Sequence, residues 1–280
     1  MLKTKIILVA LGAALAVPQV QAASPSPEED RKAMVEYFQQ MFPDVPMEEY
    51  VNGQYALNDD RRKQWESMQD FPPYEFAVAE GQEMFETPFA NGKTYASCFE
   101  NGGIGIRQNY PYFDTEKNEV ITLELAINRC REANGEEPLR WKKGAIASIS
   151  AYMASTSQGK PLNIKIPDDP DALAAYESGK EFYYTRRGQL NFACSSCHVQ
   201  NPGNWIRADF LSPTLGQPAN FPVHRSKWGE LGTLHRRFSG CNNNVRAEPL
   251  PAQSEEYRNL EYFLTYMSNG LPVVGPATRP

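Results

Sequence analysis

Cys194-Ser195-Ser196-Cys197-His198 places two thiols three residues apart with an imidazole directly after the second. Both thiols of a C-x-x-C-H can add to the vinyl groups of one haem while the histidine binds its iron. A bare C-x-x-C would serve equally as half a zinc site or a redox dithiol. The adjoining histidine, in an exported chain, selects c-type haem. One motif occurs, so one haem c is expected, held covalently by Cys194 and Cys197 and axially by His198.

The remaining three cysteines are Cys98, Cys130 and Cys241. In an oxidising compartment Cys98 and Cys130 are expected to form a disulfide, which would contribute about 2–4 kcal/mol. A bridge from either of them to Cys241 is the alternative. With the first pairing, Cys241 is left over, and a leftover thiol in an exported protein needs an explanation. Around it, residues 199–247 carry Arg207, Arg225, Lys227, Arg236, Arg237 and Arg246 against Asp209 and Glu230 only. Arginines crowded about a thiol favour its thiolate and attract anions, and a planar guanidinium matches tetrahedral oxyanions.

Several other residues have a bland reading beside a functional one. His224 and His235 are candidate sixth ligands of an ordinary cytochrome, against packing or surface roles. Arg236 and Arg246 suit haem-propionate or partner contacts as well as substrate. Trp205, Phe210 and Trp228 suit either a partner surface or a pocket wall. Met153 and Met267, at helical spacing, read as core.

The elements that must position these groups follow from the whole chain. Lys3 and Lys5 precede an apolar run from Ile6 to Val17, and Val20-Gln21-Ala22 offers a cleavage site, so residues 1–22 read as a signal peptide. The run is too short to span a bilayer, and no later stretch is long and apolar enough for an anchor. Loss of Lys3 and Lys5 takes the formal charge from −6 to −8, which argues against a nucleic-acid partner. Twenty-two prolines and nineteen glycines imply many turns between short helices.

An internal repeat organises the rest. Glu137-Pro138-Leu139 follows Cys130 at the offset at which Glu248-Pro249-Leu250 follows Cys241. Ala151-Tyr152-Met153 leads to Ser157-Gln158-Gly159 as Thr265-Tyr266-Met267 leads to Ser268-Asn269-Gly270. Gly81 to Phe85 precedes Cys98 much as Gly179 to Tyr183 precedes Cys194. Helical faces are expected at Ala145, Ile149, Tyr152 and Thr156, at Tyr257, Leu260, Leu264 and Met267, and over Asp171 to Tyr184. No long alternating strand pattern appears. The expected fold is mainly α: two cytochrome c-like domains related by duplication, residues 23–160 without haem and residues 161–280 with it. The first has only Ser97-Cys98-Phe99-Glu100-Asn101 where the second has its haem motif.

Arg237-Phe238-Ser239-Gly240-Cys241-Asn242, then Val245-Arg246-Ala247-Glu248-Pro249, the haem motif, and Asn91-Gly92-Lys93-Thr94-Tyr95 before Cys98 together resemble the SoxA family of thiosulfate-oxidising c-type cytochromes. The resemblance covers essentially the whole mature chain. Some members carry two haems; this sequence is similar to the branch that has lost the first motif, which puts in question any electron relay through the first half. The resemblance implies Cys241, found also as a persulfide, as the second axial ligand and catalytic sulfur, with Arg237 holding the anionic substrate. It implies an L-cysteine S-thiosulfotransferase of the periplasm that joins thiosulfate to a cysteine of a SoxYZ carrier. A SoxX-like haem subunit would complete the heterodimer and an acceptor cytochrome c would take the electrons. The competing reading is a periplasmic electron-transfer cytochrome c with no sulfur chemistry.

Overall fold

Glycine sets the closest approach in each half of the molecule. A Cβ at Gly81 would lie 2.0 Å from the Ser148 carbonyl oxygen, and one at Gly179 would lie 2.0 Å from that of Asn259. Only glycine lets two helix backbones meet so closely. The computed structural model describes residues 25–280; the signal peptide expected at 1–22 lies outside them.

The chain opens with α1 (Pro27–Met41), where Ser26 and Glu29 cap each other's backbone N–H groups and Glu28, Glu29 and Asp30 fill the first turn. A 3₁₀ segment (Met47–Ala56) and α2 (Asp59–Met68) follow. Next come α3 (Glu75–Glu86), the hairpin of β1 (Tyr112–Asp114) with β2 (Glu119–Ile121), α4 (Leu123–Ala133) and α5 (Ala145–Ser155). The same order then recurs. α6 (Pro170–Tyr184) leads to α7 (Cys194–His198) and to the small hairpin of β3 (Trp205–Ile206) and β4 (Asp209–Phe210). β5 (Val223–Arg225) and β6 (Glu230–Gly232) then precede α8 (Leu234–Asn244) and α9 (Glu255–Met267). β7 (Ala277–Arg279) lies parallel to β5, with Arg225 opposite Arg279.

α3 crosses α5 at Gly81, and α6 crosses α9 at Gly179. Cys130 and Cys241 are each the eighth residue of an eleven-residue helix, α4 and α8. Cys98 and Cys130 are joined in a disulfide with their Cα atoms 5.8 Å apart. Cys194, Cys197 and Cys241 are free thiols.

Two features depart from the sequence reading. Short strands are present, too brief at two or three residues for a period-two pattern to register. The packing also divides differently from the boundary at residue 160. Phe85, Tyr95, Leu123, Ile127, Ile149 and Met153 form the core of the first half. Met34, Phe38, Tyr50 and Val51, although early in the chain, pack with Tyr176, Leu234, Tyr257 and Phe263 of the second. α1 is further pinned there by Lys180 Nζ and the Tyr176 hydroxyl, 2.5 and 2.9 Å from the Asp30 carboxylate. The described residues are mainly α-helical, and no helix among them is long and apolar enough to cross a membrane.

Candidate haem and sulfur site

α7 is barely more than one turn, and its N-terminus is secured by Ser196, whose hydroxyl accepts the Ala193 N–H at 3.1 Å. That turn puts Cys194 and Cys197 on one side. His198 follows, with Nδ1 2.8 Å from the Ser212 carbonyl oxygen. A carbonyl only accepts, so the proton sits on Nδ1 and Nε2 keeps its lone pair for a metal. The Gln217 side-chain amide lies 2.8 Å from the same nitrogen and 3.1 Å from the Ser212 hydroxyl, and with Nδ1 protonated it is the amide oxygen that can accept there. Burial drives the imidazole's pKa down to about 4, so the ring is neutral and ready to bind. Burial likewise pushes the Cys194 thiol up to about 12 and the Cys197 thiol in the same direction.

Opposite lies α8. Its apolar face buries Leu234 and Phe238, and Asn242 locks it by donating to the Phe238 carbonyl at 3.2 Å and to the Tyr257 hydroxyl at 2.6 Å. Arg237 and Cys241, one turn apart, both face a cavity of about 460 Å³ that also receives Cys194, Cys197 and His198. Phe182, Phe192, Leu260 and Leu264 furnish its apolar wall. Its charged lining is Arg187, Arg207, Arg225, Lys227, Arg237 and Arg279 against Asp209 alone.

The residues fit a c-type haem. Two neutral thiols, a fixed Nε2 and an apolar slot meet in one place. Unpartnered donors face it as well: Arg187 Nη1 is buried without a hydrogen-bond partner, and the Arg237 guanidinium makes no hydrogen bond or ion pair among the described residues. Arg187 is otherwise held by its stack on Phe182, 3.4 Å from the ring centroid.

A family model described as the cytochrome c domain of SoxA/TsdA matches residues 80–162, the half without C-x-x-C-H. The L-cysteine S-thiosulfotransferase subunit SoxA of Chlorobaculum tepidum is 55% identical over 250 residues, 89% of this chain and 87% of that protein. The chain belongs to the SoxA family. The SoxA subunit of Allochromatium vinosum is 53% identical over 273 residues, 97% of this chain and 96% of its own length. The crystal structure of SoxXA from P. pantotrophus superposes with a TM-score of 0.72 at 33% identity, covering 81% of this chain and 86% of the other. As a SoxA-family cytochrome with its attachment motif in place, the protein carries covalently bound haem c.

The cavity thus gathers Cys194, Cys197, His198, Arg237 and Cys241. Of the remaining candidates Phe210 lines it too, whereas Trp205, Trp228, both other histidines, Arg236 and Arg246 do not. His235 is buried, with Nε2 3.2 Å from the Glu261 carboxylate and Nδ1 accepting the Gln253 N–H. His224 lies half-buried in β5. Arg236 pairs with Glu230 at 3.2 Å and lies over Trp228, and Arg246 reaches only Gln189 at 3.5 Å. Arg187 and Arg279 were not singled out by sequence. Arg187 stands near the haem motif with nothing around it to mark a role, and Arg279 is brought in by the pairing of β7 with β5.

Proposed function

We propose that this chain is the catalytic subunit of a periplasmic L-cysteine S-thiosulfotransferase, oxidising thiosulfate by joining it to a cysteine of a SoxYZ-type carrier protein. The reading rests on one observation: Cys241 and an unpartnered Arg237 share a single cavity with the haem-attachment residues. Cys194 and Cys197 would hold the haem through thioethers, and His198 and the Cys241 sulfur would be the residues that bind its iron. Haem c bound there supplies a one-electron acceptor, so the two-electron oxidation calls for a second redox centre, the part of a SoxX-type subunit within the heterodimer.

The protein's own groups do the rest. Arg237 neutralises the sulfonate oxygens and aims the outer sulfur at Cys241, a charge-assisted contact with fork geometry. The Cys241 sulfur bonds to that outer sulfur, and two electrons leave as the sulfur–sulfur bond forms. The carrier thiolate then attacks the same outer sulfur, which breaks its bond to Cys241 and returns the cysteine as thiolate. The carrier leaves with the thiosulfonate and its thiol proton goes to solvent. The apolar wall of Phe182, Phe192 and Leu264 limits water around the reacting sulfurs.

The two halves read as copies of one cytochrome c-like unit, with haem only in the second, residues 161–280. Their shared element order, the matched glycine crossings and the position of the family match on residues 80–162 support this. The export segment and the Cys98–Cys130 disulfide support a periplasmic location.

The test is thiosulfate-dependent cytochrome reduction with carrier and partner subunit present. Cys241→Ala is expected to lower the rate by roughly three orders of magnitude or more while leaving the haem attached. Equal rates in wild type and variant would leave a simple electron carrier.

A further inference from the structure

Arg225 is only 7% exposed, yet its terminal nitrogens are not among the fully buried unpartnered side-chain atoms, so they open onto the cavity that the residue lines. Its Nε donates to the backbone oxygen of Pro280 at 2.6 Å. Its two terminal nitrogens have no hydrogen-bond partner, and no side-chain carboxylate lies within ion-pair distance among the described residues. The pin at Nε and the Trp228 ring, 5.3 Å away, hold the side chain in place. Those terminal nitrogens are therefore free donors in the cavity that Cys241 lines.

Its strand neighbour differs. Arg279, opposite Arg225 in the β5–β7 register, is already engaged with the Val51 carbonyl, the Thr278 carbonyl and the Asn220 side chain. Arg237, by contrast, is unengaged and lies close enough to Arg225 for their charges to repel. That repulsion adds to burial in bringing the Arg225 pKa down to about 10. Asp209 also lines the cavity; its charge acts on Arg225 and partly offsets that repulsion, without a direct ion pair. Two guanidinium groups whose terminal nitrogens have no hydrogen-bond or ion-pair partner, lining one cavity with a thiol, suit a compact anion of more than one charge.

We propose that Arg225 is a second receptor for the sulfonate end of thiosulfate, closing a clamp with Arg237 beside Cys241. Two forks facing three oxygens fix the sulfonate and leave the outer sulfur to face the cysteine. The inference rests on the function proposed above. A haem propionate shares the oxyanion chemistry, and the experiment separates the two sources.

Arg225→Gln and Arg225→Lys are to be compared with wild type in the haem-loaded complex with its partner subunit and carrier protein. The readouts are KM for thiosulfate, kcat, competitive inhibition by sulfate, haem content and midpoint potential. Arg225→Gln is expected to raise KM and weaken sulfate inhibition by roughly 10- to 100-fold, with haem content and potential unchanged. Arg225→Lys should recover part of that loss, since it restores charge without the fork. An unchanged KM overturns the assignment, as does an unchanged KM with a shifted potential or lost haem, which marks a propionate anchor. Should Arg225→Gln fail to take up haem, Arg225→Lys decides by the same criteria. Thiosulfate turnover by wild type with no effect of either variant defeats the clamp alone. No thiosulfate turnover by wild type defeats the functional reading and the clamp with it.

Discussion

Cys130 and Cys241 stand at the same step of α4 and α8 and meet opposite fates. Cys130 is bridged to Cys98 across 32 residues, in the half where no haem motif exists to tie the chain together. Cys241 stays a free, half-buried thiol in the cavity. A Cys98→Ser, Cys130→Ser protein is expected to lose about 2–4 kcal/mol of stability in denaturant melts, with its haem absorption unchanged. An unaltered midpoint would mean that the aromatic core holds the first half unaided. At this scale the sequence was most readable where function is local. The haem motif spans five residues and could be read from spacing, while Arg237, one turn from Cys241, was picked out of the basic cluster by the family resemblance. Arg187 owes its part to an empty hydrogen-bonding site that only the folded cavity creates, and Arg225 stood out in sequence merely as one basic residue among six.

Glu124 and His235 are the second residues of α4 and α8, and both are buried where the halves meet. Ser150 donates to Glu124 at 2.9 Å, while His235 faces Glu261 at 3.2 Å. Burial, and after it the charge of Glu261, raises the Glu124 carboxyl above its ordinary 4.5. The raised value fixes the sign. Below an ordinary carboxyl pKa both folded and unfolded chains hold the proton; at higher pH the unfolded chain releases it first, so stability falls as pH rises through the folded value. Glu124→Gln keeps an acceptor for Ser150 and removes that penalty. It is expected to raise Tm by a few degrees at about pH 8, the gain shrinking as pH falls towards 4.5. A gain independent of pH would mean that Glu124 does not hold a proton in the fold. Helices were legible because their apolar faces repeat every 3.6 residues over three or four turns. The hairpins carry two or three residues a strand and left no such trace. The aligned glycines, noticed as part of a repeat, have their cause in the backbone crossings.

The haem half is assembled from both sides of the first half. α1, the 3₁₀ segment (Met47–Ala56) and, through Phe113 and Val120, the β1–β2 hairpin complete a core whose other members lie beyond residue 161. Residues 161–280 produced alone are therefore expected to lack a cooperative melt and to retain haem poorly, because Met34, Phe38, Tyr50 and Val51 are missing from that core. Retention of haem with an unchanged Tm would show the early segment to be dispensable. A repeat reveals which stretches match one another and is silent about where unmatched leading residues settle. The split at residue 160 followed the repeat, whereas the packing follows burial of apolar surface.

Arg279 and Pro280 form part of the cavity wall, and β7 carries the chain alongside β5 to reach it. Any polypeptide continuing past that point starts from the wall of the cavity in which the anion and the carrier's cysteine are proposed to meet. A purification handle fused there would crowd the traffic and depress turnover without harming the fold. One joined ahead of the exposed Pro25 leaves from open solvent instead.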